Sequence, residues 1–305
     1  MSDSVLHLPT AFIHDPAAST RREVWFKMEC HQPIGSFKIR GIGLLCQRLA
    51  MSGATQLVSS SGGNAGLAVA YCARKLNLRA CIVVPSTTPE ATRAMLKAHG
   101  ADVRVHGAVW DEADVLARSL AHEQGSAYIP PFDHPVLWEG HATLIEEMAS
   151  TGPQPEKIVV AVGGGGLFCG VVQGLQRVGW QDTEVIAVET DGAQSLHLSI
   201  RAGRLITLPA ITSIAKSLGA RTVAAQALAY CQSHPVRSVV VCDEAALRAC
   251  RQFAQSHRAL VEPACGAAVS IVYDDHEVLA SARRIAVIAC GGVSIGPVME
   301  MIARR

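Results

Sequence analysis

The sequence has 305 residues, of which 49% are hydrophobic and 17% are charged, a composition typical of a folded globular protein and not of a disordered chain. Its 27 basic and 26 acidic residues nearly balance, so charge gives no reason to expect nucleic acid or an anionic membrane as a partner. No apolar stretch approaches the ~18 residues of a membrane span, and residues 1–9 lack the basic segment and apolar core of a signal peptide.

Ten cysteines are scattered along the chain without a C-x-x-C pair, which argues against a zinc ribbon or a thioredoxin-like motif. Several lie within apolar runs, such as Cys81 in residues 80–84, where a thiol behaves as a small buried hydrophobic group. We therefore expect reduced cysteines and a cytoplasmic protein.

Short runs rich in β-branched residues alternate with longer helical patterns, which predicts parallel β-sheets covered by helices. The predicted strands are Gln56–Ser59, Ala80–Val84, Asp102–Val105, Lys157–Val162, Glu184–Val188, Ser238–Cys242 and Ile285–Ala289. The predicted helices include Ala65–Leu76, Glu90–Ala98, Trp110–Glu123, Leu167–Val178 and Glu244–Ser256. The proline-containing segment 129–135 is a candidate boundary between two halves.

Residues 33–41, with the sequence PIGSFKIRG, carry one lysine, Lys38. A free lysine amine has a pKa of ~10.4 and is therefore mostly protonated and not nucleophilic at neutral pH. Apolar neighbours such as Phe37 and Ile39, or a cation such as Arg40, would lower that pKa and let the amine form an imine with an aldehyde. A lysine in such a segment is by itself more often an ordinary surface residue, so this interpretation depends on the motifs downstream.

Residues 59–66, with the sequence SSSGGNAG, form the end of a predicted strand and the start of a predicted helix. Hydroxyls and free helix N-terminal amides suit a carboxylate, and Asn64 is a candidate N-cap. The same pattern by itself is typical of a simple capping turn.

Four consecutive glycines, Gly163 to Gly166, connect a buried strand to a helix. Glycines let several backbone amides point at one anion, and the helix N-terminus adds partial positive charge. The turn is neither a Walker loop nor a G-x-G-x-x-G motif, because no Gly-Lys-Ser/Thr follows and Phe168 occupies the sixth position. A flexible linker is the less favoured alternative.

Residues 287–292 form a further apolar strand that ends in a thiol, Cys290, and two glycines. A buried core cysteine is an equally good interpretation of this segment alone. Taken together, an amine for an aldehyde, a loop for a carboxylate and a turn for a phosphate indicate pyridoxal 5′-phosphate chemistry.

With these motifs in place, the chain resembles the fold-type II pyridoxal-phosphate enzymes, and most closely the L-serine/L-threonine dehydratases of the mammalian liver type. The resemblance runs nearly end to end. It extends to residues 82–89 (IVVPSTTP), 128–133 (YIPPFD), 138–141 (WEGH), 163–176 and 261–268 (VEPACGAA).

The resemblance implies an α/β fold similar to the tryptophan synthase β-subunit, with two open parallel-sheet domains and the cofactor in the cleft between them. The small domain would span residues 35–135, and the large domain would combine residues 1–34 with 136–305.

The resemblance also implies site residues. Lys38 would bind the cofactor covalently and act as the catalytic base, with Ser61 as a second candidate catalytic residue. The other cofactor contacts would be Phe37 and Ser217 on opposite faces of the pyridine ring, Asn64 at its 3′-oxygen, Cys290 at its nitrogen, and Gly163, Gly164, Gly165, Gly166 and Leu167 at the phosphate. The substrate carboxylate would bind Ser61, Asn64 and Ala65.

A monovalent cation site is implied as well, with potassium as the expected ion. Its oxygen ligands would come from Gly163, Glu189, Ala193, Leu218 and Ala220, mostly through backbone carbonyls. Glu189 is by itself equally typical of a surface acid at the end of a strand.

The implied reaction is β-elimination, which converts serine to pyruvate and ammonia and threonine to 2-oxobutanoate and ammonia, in a cytoplasmic homodimer of amino-acid catabolism and gluconeogenesis. Serine racemases of this fold have a serine at the position of Gly62, so weak racemisation is expected here. Some dehydratases have alanine there, and the mammalian ones usually have Ser-Asn where this chain has Val293-Ser294. No regulatory domain follows the last motif, so no feedback control by isoleucine is expected.

Two alternatives stay open. One is a β-replacement enzyme such as a cysteine synthase, which shares the lysine and the phosphate turn. The other is a non-catalytic protein that binds the cofactor and senses amino acids, although binding alone needs no base such as Lys38. The sequence leaves the choice between serine and threonine open, since one methyl group is worth only ~1–3 kcal/mol in a pocket.

Overall fold

The computed structural model describes residues 5–303. Residues 1–4, part of the segment judged unlike a signal peptide, and residues 304–305 lie outside the described residues. No helix within residues 5–303 is long and apolar enough to cross a membrane.

Strands and helices alternate along most of the chain. The strands are β1 (Phe12–His14), β2 (Glu23–Lys27), β3 (Gln56–Ser59), β4 (Arg79–Val84), β5 (Asp102–Val105), β6 (Ser126–Tyr128), β7 (Lys157–Ala161), β8 (Glu184–Thr190), β9 (Val236–Val241) and β10 (Arg284–Ile288). The helices are α1 (Lys38–Met51), α2 (Asn64–Lys75), α3 (Glu90–Ala98), α4 (Trp110–Leu120), α5 (Pro135–Thr151), α6 (Gly166–Arg177), α7 (Ser195–Ala202), α8 (Ala225–Ser233), α9 (Asp243–His257), α10 (Pro263–Tyr273) and α11 (Gly296–Ala303).

By packing, the chain divides into two compact units. The first consists of residues 5–8, Gln32–Ile34 and Lys38–Gly140, and the second of Pro9–His31, Gly35–Phe37 and residues 141–303. The domain boundaries expected from the resemblance, 35–135 against 1–34 with 136–305, stay a prediction.

The first unit is built on a four-stranded parallel sheet in the order β5-β4-β3-β6. Strand β3 is buried throughout and β4 is buried except for its first residue, Arg79, as expected for a parallel sheet covered by helices. Helix α4 packs on them through the small side chains of Ala113 and Ala117, which lie in one core cluster with Val58, Cys81 and Val83. Small residues at the contact let the helix approach the sheet closely.

The second unit contains a six-stranded sheet in the order β1-β2-β10-β7-β8-β9. All neighbouring pairs are parallel except the edge pair β1 and β2. The central strands β7 and β10 are almost fully buried, and α10 is buried along its length. The carboxyl ends of parallel strands, where α/β proteins bind ligands, therefore open on one edge of this sheet.

The structure confirms the expected α/β class with parallel sheets. One local expectation is wrong: Asn64 is the first residue inside α2, and Gly63 precedes the helix as its N-cap. The helix starts one residue earlier than the capping pattern indicated, because the turn before it is closed by Gly63, whose carbonyl accepts a 3.0 Å hydrogen bond from the Leu67 amide.

Candidate active site

Lys38 is the first residue of α1 and belongs to the first unit. Its side chain is half-buried, and its Nζ donates a 2.5 Å hydrogen bond to the backbone carbonyl of Pro131. Pro131 follows β6 in the segment 129–133. The amine therefore has a fixed acceptor on the edge of the sheet where β6 ends.

Residues 60–65, which we call the carboxylate loop, lead from β3 into the first turn of α2. The loop brings Ser61, Asn64 and Ala65 into one turn, with Asn64 and Ala65 buried. A Cβ at Gly66 would lie 1.8 Å from the carbonyl oxygen of Ser61, so the loop can close over the helix start only with glycine there. The free amides of this turn suit an anionic group.

Gly62 lies at the tip of the carboxylate loop. A Cβ there would lie 3.1 Å from Cγ2 of Thr88 and 3.3 Å from Cγ1 of Val84. Both neighbours are side-chain methyl groups, so a small side chain is tight at this position but does not meet backbone.

Gly163 to Gly166, which we call the glycine turn, join β7 to α6 in the second unit. Gly165 has a φ of +88°, which favours glycine. A Cβ at Gly165 would lie 2.8 Å from the Cβ of Ala227, and one at Gly163 would lie 2.9 Å from the Cα of Leu218. The turn therefore presents backbone at the N-terminus of α6, a geometry that fits a phosphate group.

Ser217 lies in a single 3-10 turn, Lys216–Leu218, beside the glycine turn. Its Oγ donates a 2.5 Å hydrogen bond to Oε1 of Glu262. The other carboxylate oxygen of Glu262 accepts a 3.1 Å hydrogen bond from the backbone amide of Ser294. Glu262 is 2% exposed, so its carboxylate is a buried junction between three segments of the second unit.

Gly292 leaves the space that the Glu262 carboxylate occupies. It has a φ of +119°, and a Cβ there would lie 1.9 Å from Cδ of Glu262. No other residue fits without moving the carboxylate. Glu262 has no role predicted from the sequence; the available signal is an acid directly before the proline that starts an apolar helix.

Cys290 follows β10 and is buried. Its hydrogen bond with Cys265, together with burial, raises the pKa of the Cys290 thiol well above its ordinary value, and the charge of Glu262 adds to this shift. The thiol is therefore neutral at physiological pH. Since neutral Cys290 is only a weak hydrogen-bond donor, it fits a ring nitrogen that stays unprotonated.

Phe37 is held next to Cys290 in the second unit. The Phe37 amide donates a 3.2 Å hydrogen bond to the carbonyl of Cys290, and the ring packs edge-on against His141 with 4.9 Å between the ring centroids. The structure therefore brings together two residues that the sequence analysis assigned to the same cofactor ring.

Glu189 lies at the carboxyl end of β8 and is fully buried. Its two oxygens accept hydrogen bonds from the backbone amides of Leu196 (2.8 Å) and His197 (2.7 Å), in the first turn of α7. Burial raises the pKa of Glu189 to about 7, and the two amide hydrogen bonds only partly oppose this.

The other expected cation ligands are partly grouped. Leu218 lies against Gly163, and its carbonyl accepts a 2.8 Å hydrogen bond from the amide of Ala220. Within residues 5–303 no lysine or arginine forms a salt bridge with Glu189. A buried acid without a cationic side-chain partner is a candidate ligand for a bound cation.

Comparison with known proteins bears on this geometry. The family model described as "Pyridoxal-phosphate dependent enzyme" matches residues 4–291. The chain belongs to this family. The structure and the comparisons also confirm the expected fold-type II architecture.

Relatives are similar over nearly the whole chain. The human protein named L-serine dehydratase/L-threonine deaminase is 49% identical, over 97% of this chain and 94% of the relative. The human protein named serine dehydratase-like is also 49% identical, over 89% of this chain and 85% of the relative. Among solved structures, a fungal L-serine ammonia-lyase from Rhizomucor miehei matches with a TM-score of 0.92 and 36% identity, over 98% of this chain and 99% of that one.

Proposed function

We propose that this enzyme is an L-serine/L-threonine ammonia-lyase. It converts serine to pyruvate and ammonia, and threonine to 2-oxobutanoate and ammonia. The names of its relatives over nearly their full length support this reaction. The structural observation that carries the proposal is Lys38, whose amine is fixed on the Pro131 carbonyl in the unit that also holds the carboxylate loop.

The bound pyridoxal phosphate supplies an electron sink conjugated to the amine of the substrate. We assign the covalent link to Lys38 and the phosphate to the amides of Gly163, Gly164, Gly165, Gly166 and Leu167. Asn64 would hydrogen-bond the 3′-oxygen, and Phe37 and Ser217 would contact the two faces of the ring.

Lys38 then acts on the substrate. With the cofactor bound, the Lys38 amine would remove the α-proton of the substrate, and the β-hydroxyl would leave with one proton, so that the elimination would release one water overall. Ser61, Asn64 and Ala65 hold the substrate carboxylate, which fixes the α-hydrogen relative to the base. Hydrolysis of the released enamine gives the keto acid and ammonia.

The neutral Cys290 thiol directs this chemistry toward elimination. A carboxylate at its position would favour a protonated ring nitrogen and a stronger electron sink, which supports transamination. With a thiol, the sink is weaker, so expulsion of the β-hydroxyl competes better with return of the proton to carbon.

We further propose a cytoplasmic homodimer that binds potassium through Gly163, Glu189, Ala193, Leu218 and Ala220. All ten cysteines are free thiols in the structure, in keeping with a reducing compartment. The keto acid products place the reaction in amino-acid catabolism, with pyruvate available for gluconeogenesis.

The test is keto acid release from serine and threonine by the holoenzyme, with and without potassium. Lys38→Ala should lower the rate by at least about 10³-fold, whereas Lys97→Ala, an exposed lysine on α3 of the same unit, should leave it unchanged. Borohydride reduction followed by peptide mass mapping should place the cofactor on Lys38. A native rate in Lys38→Ala would overturn the proposal.

A second assay separates β-replacement from elimination. Sulfide is supplied with serine or O-acetylserine, and cysteine and keto acid are both measured. Keto acid as the main product supports the lyase, and cysteine as the main product would establish a cysteine synthase. Cofactor binding without turnover of any of these substrates would indicate an amino-acid sensor.

A further inference from the structure

The first unit contains a buried polar cluster that the proposed reaction does not use. It consists of Ser60, Asp114, Arg118 and Tyr128, and we call it the Asp114 cluster. Oδ1 of Asp114 accepts hydrogen bonds from the Ser60 hydroxyl at 2.6 Å and from the Tyr128 hydroxyl. Oδ2 accepts a 2.7 Å hydrogen bond from Nε of Arg118.

The inner part of the cluster, Asp114 and Ser60, is fixed by packing. Asp114 is buried at 9% exposure and Ser60 is fully buried. Asp114 lies between Ala113 and Ala117 on α4, which pack into the sheet core. The guanidinium of Arg118 lies 4.3 Å from the centre of the Tyr128 ring, close enough for a cation–π contact.

Both hydroxyls have a defined orientation. Burial by itself raises the pKa of the Asp114 carboxyl, but the hydrogen bonds from Ser60, Tyr128 and Arg118 outweigh it and lower the pKa below its ordinary range. An ionised carboxylate only accepts hydrogen bonds. Ser60 and Tyr128 must therefore both direct their protons at Asp114.

The two hydroxyls belong to two different functional segments. Ser60 is the first residue of the carboxylate loop, and Tyr128 is the last residue of β6, three residues before Pro131. Strands β3 and β6 are parallel neighbours, so both segments leave the same edge of the sheet. They are also joined directly, because Oγ of Ser59 donates a 3.1 Å hydrogen bond to the carbonyl of Ile129.

One carboxylate therefore connects the loop assigned to the substrate with the segment that carries the acceptor of Lys38. We propose that Asp114 is a positioning residue for the reaction. The hydrogen bond that it accepts from Ser60 fixes the conformation of the carboxylate loop. The hydrogen bond that it accepts from Tyr128 fixes the position of the Pro131 carbonyl, which accepts from the Lys38 amine. This inference rests on the proposed function, because that function assigns the loop and the lysine their roles.

The experiment uses L-alanine, which carries the amino and carboxylate groups of serine but has no β-hydroxyl to lose. Its dissociation constant from the holoenzyme is measured by the change in cofactor absorbance, and kcat and KM are measured with serine. The variants are Ser60→Ala, Tyr128→Phe and Asp114→Ala, the last of which removes the oxygen that accepts from both hydroxyls. The matched control is Ser119→Ala, which removes an exposed hydroxyl on α4 outside the cluster.

Each variant has its own expected result. Ser60→Ala should weaken L-alanine binding and raise KM by about tenfold, since small displacements of positioning groups are costly, with kcat changed less. Tyr128→Phe keeps the ring and should lower kcat by about fivefold, with a smaller change in the dissociation constant of L-alanine. Asp114→Ala should do both, and Ser119→Ala should stay within about twofold of wild type.

A triple variant tests whether Asp114 acts through the two hydroxyls. Adding Asp114→Ala to the Ser60→Ala/Tyr128→Phe protein should change L-alanine binding no further, because residues of one network are not additive. A large additional loss would overturn the proposed route. Should Asp114→Ala not fold, the two single hydroxyl variants carry the test.

A purely structural cluster gives a different pattern. The variants would then lose thermal stability while L-alanine binding, kcat and KM stayed within about twofold of wild type, and the inference would be wrong. Failure of the proposed function is separate, because it appears in the wild-type protein as absence of keto acid release.

Discussion

The hydroxyl of Ser217 donates a 2.5 Å hydrogen bond to the buried carboxylate of Glu262, across 45 residues of sequence. The amide of Ser294 satisfies the other carboxylate oxygen, and Gly292 leaves the space that the carboxylate fills. Glu262 therefore fixes the orientation of a residue that we assign to one face of the cofactor ring.

The first prediction concerns this carboxylate. Glu262→Gln keeps the shape but replaces a charged carboxylate by a neutral amide, so either the Ser294 amide loses its acceptor or the Ser217 hydroxyl must turn to accept from the new NH₂. We expect a loss of about 1–3 kcal/mol in the free energy of unfolding, measured by urea denaturation. The exposed Glu277→Gln serves as the control and should stay within about 0.5 kcal/mol of wild type. Equal stability of the two variants would contradict the structural role of Glu262.

The second prediction concerns Gly62. Gly62→Ser places a hydroxyl where serine racemases carry one, and we expect D-serine to appear from L-serine, measured by chiral chromatography. Gly62→Ala is the matched control, since it meets the same methyl groups of Thr88 and Val84 and has no hydroxyl. Each variant should lose about 1 kcal/mol of stability through the tight contact. D-serine from both variants, or from neither, would show that the hydroxyl at this position does not decide racemisation.

The third prediction concerns pH and potassium. The pKa of Glu189 rises from 4.5 to about 7 on folding, so the folded protein binds this proton more tightly than the unfolded chain. The free energy of unfolding therefore falls as the pH rises through this window. Glu189→Gln removes this titrating group. The fall in the free energy of unfolding between pH 5 and pH 8 should therefore be smaller in the variant than in wild type by about 2–3 kcal/mol.

A cation bound at Glu189 should oppose this fall in the free energy of unfolding at high pH. At pH 8, potassium chloride should stabilise wild type more than choline chloride of equal concentration, and Glu189→Gln should show no such difference. Urea unfolding in the two salts measures this. An equal response of both proteins to potassium would place the ion elsewhere.

The fourth prediction concerns thiol reactivity. Cys242 is exposed, whereas Cys290 and Cys265 are buried, and the raised pKa of the Cys290 thiol keeps it protonated. Because thiolates are the reactive species, iodoacetamide at pH 8 should label Cys242 first and Cys290 only after unfolding. Peptide mass mapping with and without urea checks this order. Early native labelling of Cys290 would contradict its burial.

Much of the fold could be predicted because central strands and amphipathic helices carry local patterns. The strand Gln56–Ser59, the strand Asp102–Val105 and the helix Glu90–Ala98 have the predicted bounds. Strands β1, β2 and β6 were not predicted. Strands β1 and β6 have only three residues each. Strand β2 has five, and its Val24, Trp25 and Phe26 are a local strand signal that its charged ends, Glu23 and Lys27, obscured.

The same distinction holds for the candidate site. The glycine turn and the carboxylate loop have local signatures, because each needs several glycines or hydroxyls in sequence. The contacts of Glu262 and Asp114 have no local signature in the sequence. Glu262 contacts Ser217, and Asp114 contacts Ser60, only after distant segments have folded. The ligand roles of all these residues stay predictions.

The partner of Glu262 at position 294 is a peptide N–H and not a side chain. The side chain at 294 can therefore change without removing this bond. The exception is proline, which lacks the N–H. Among homologues, we expect diverse side chains at this site and a strict avoidance of proline.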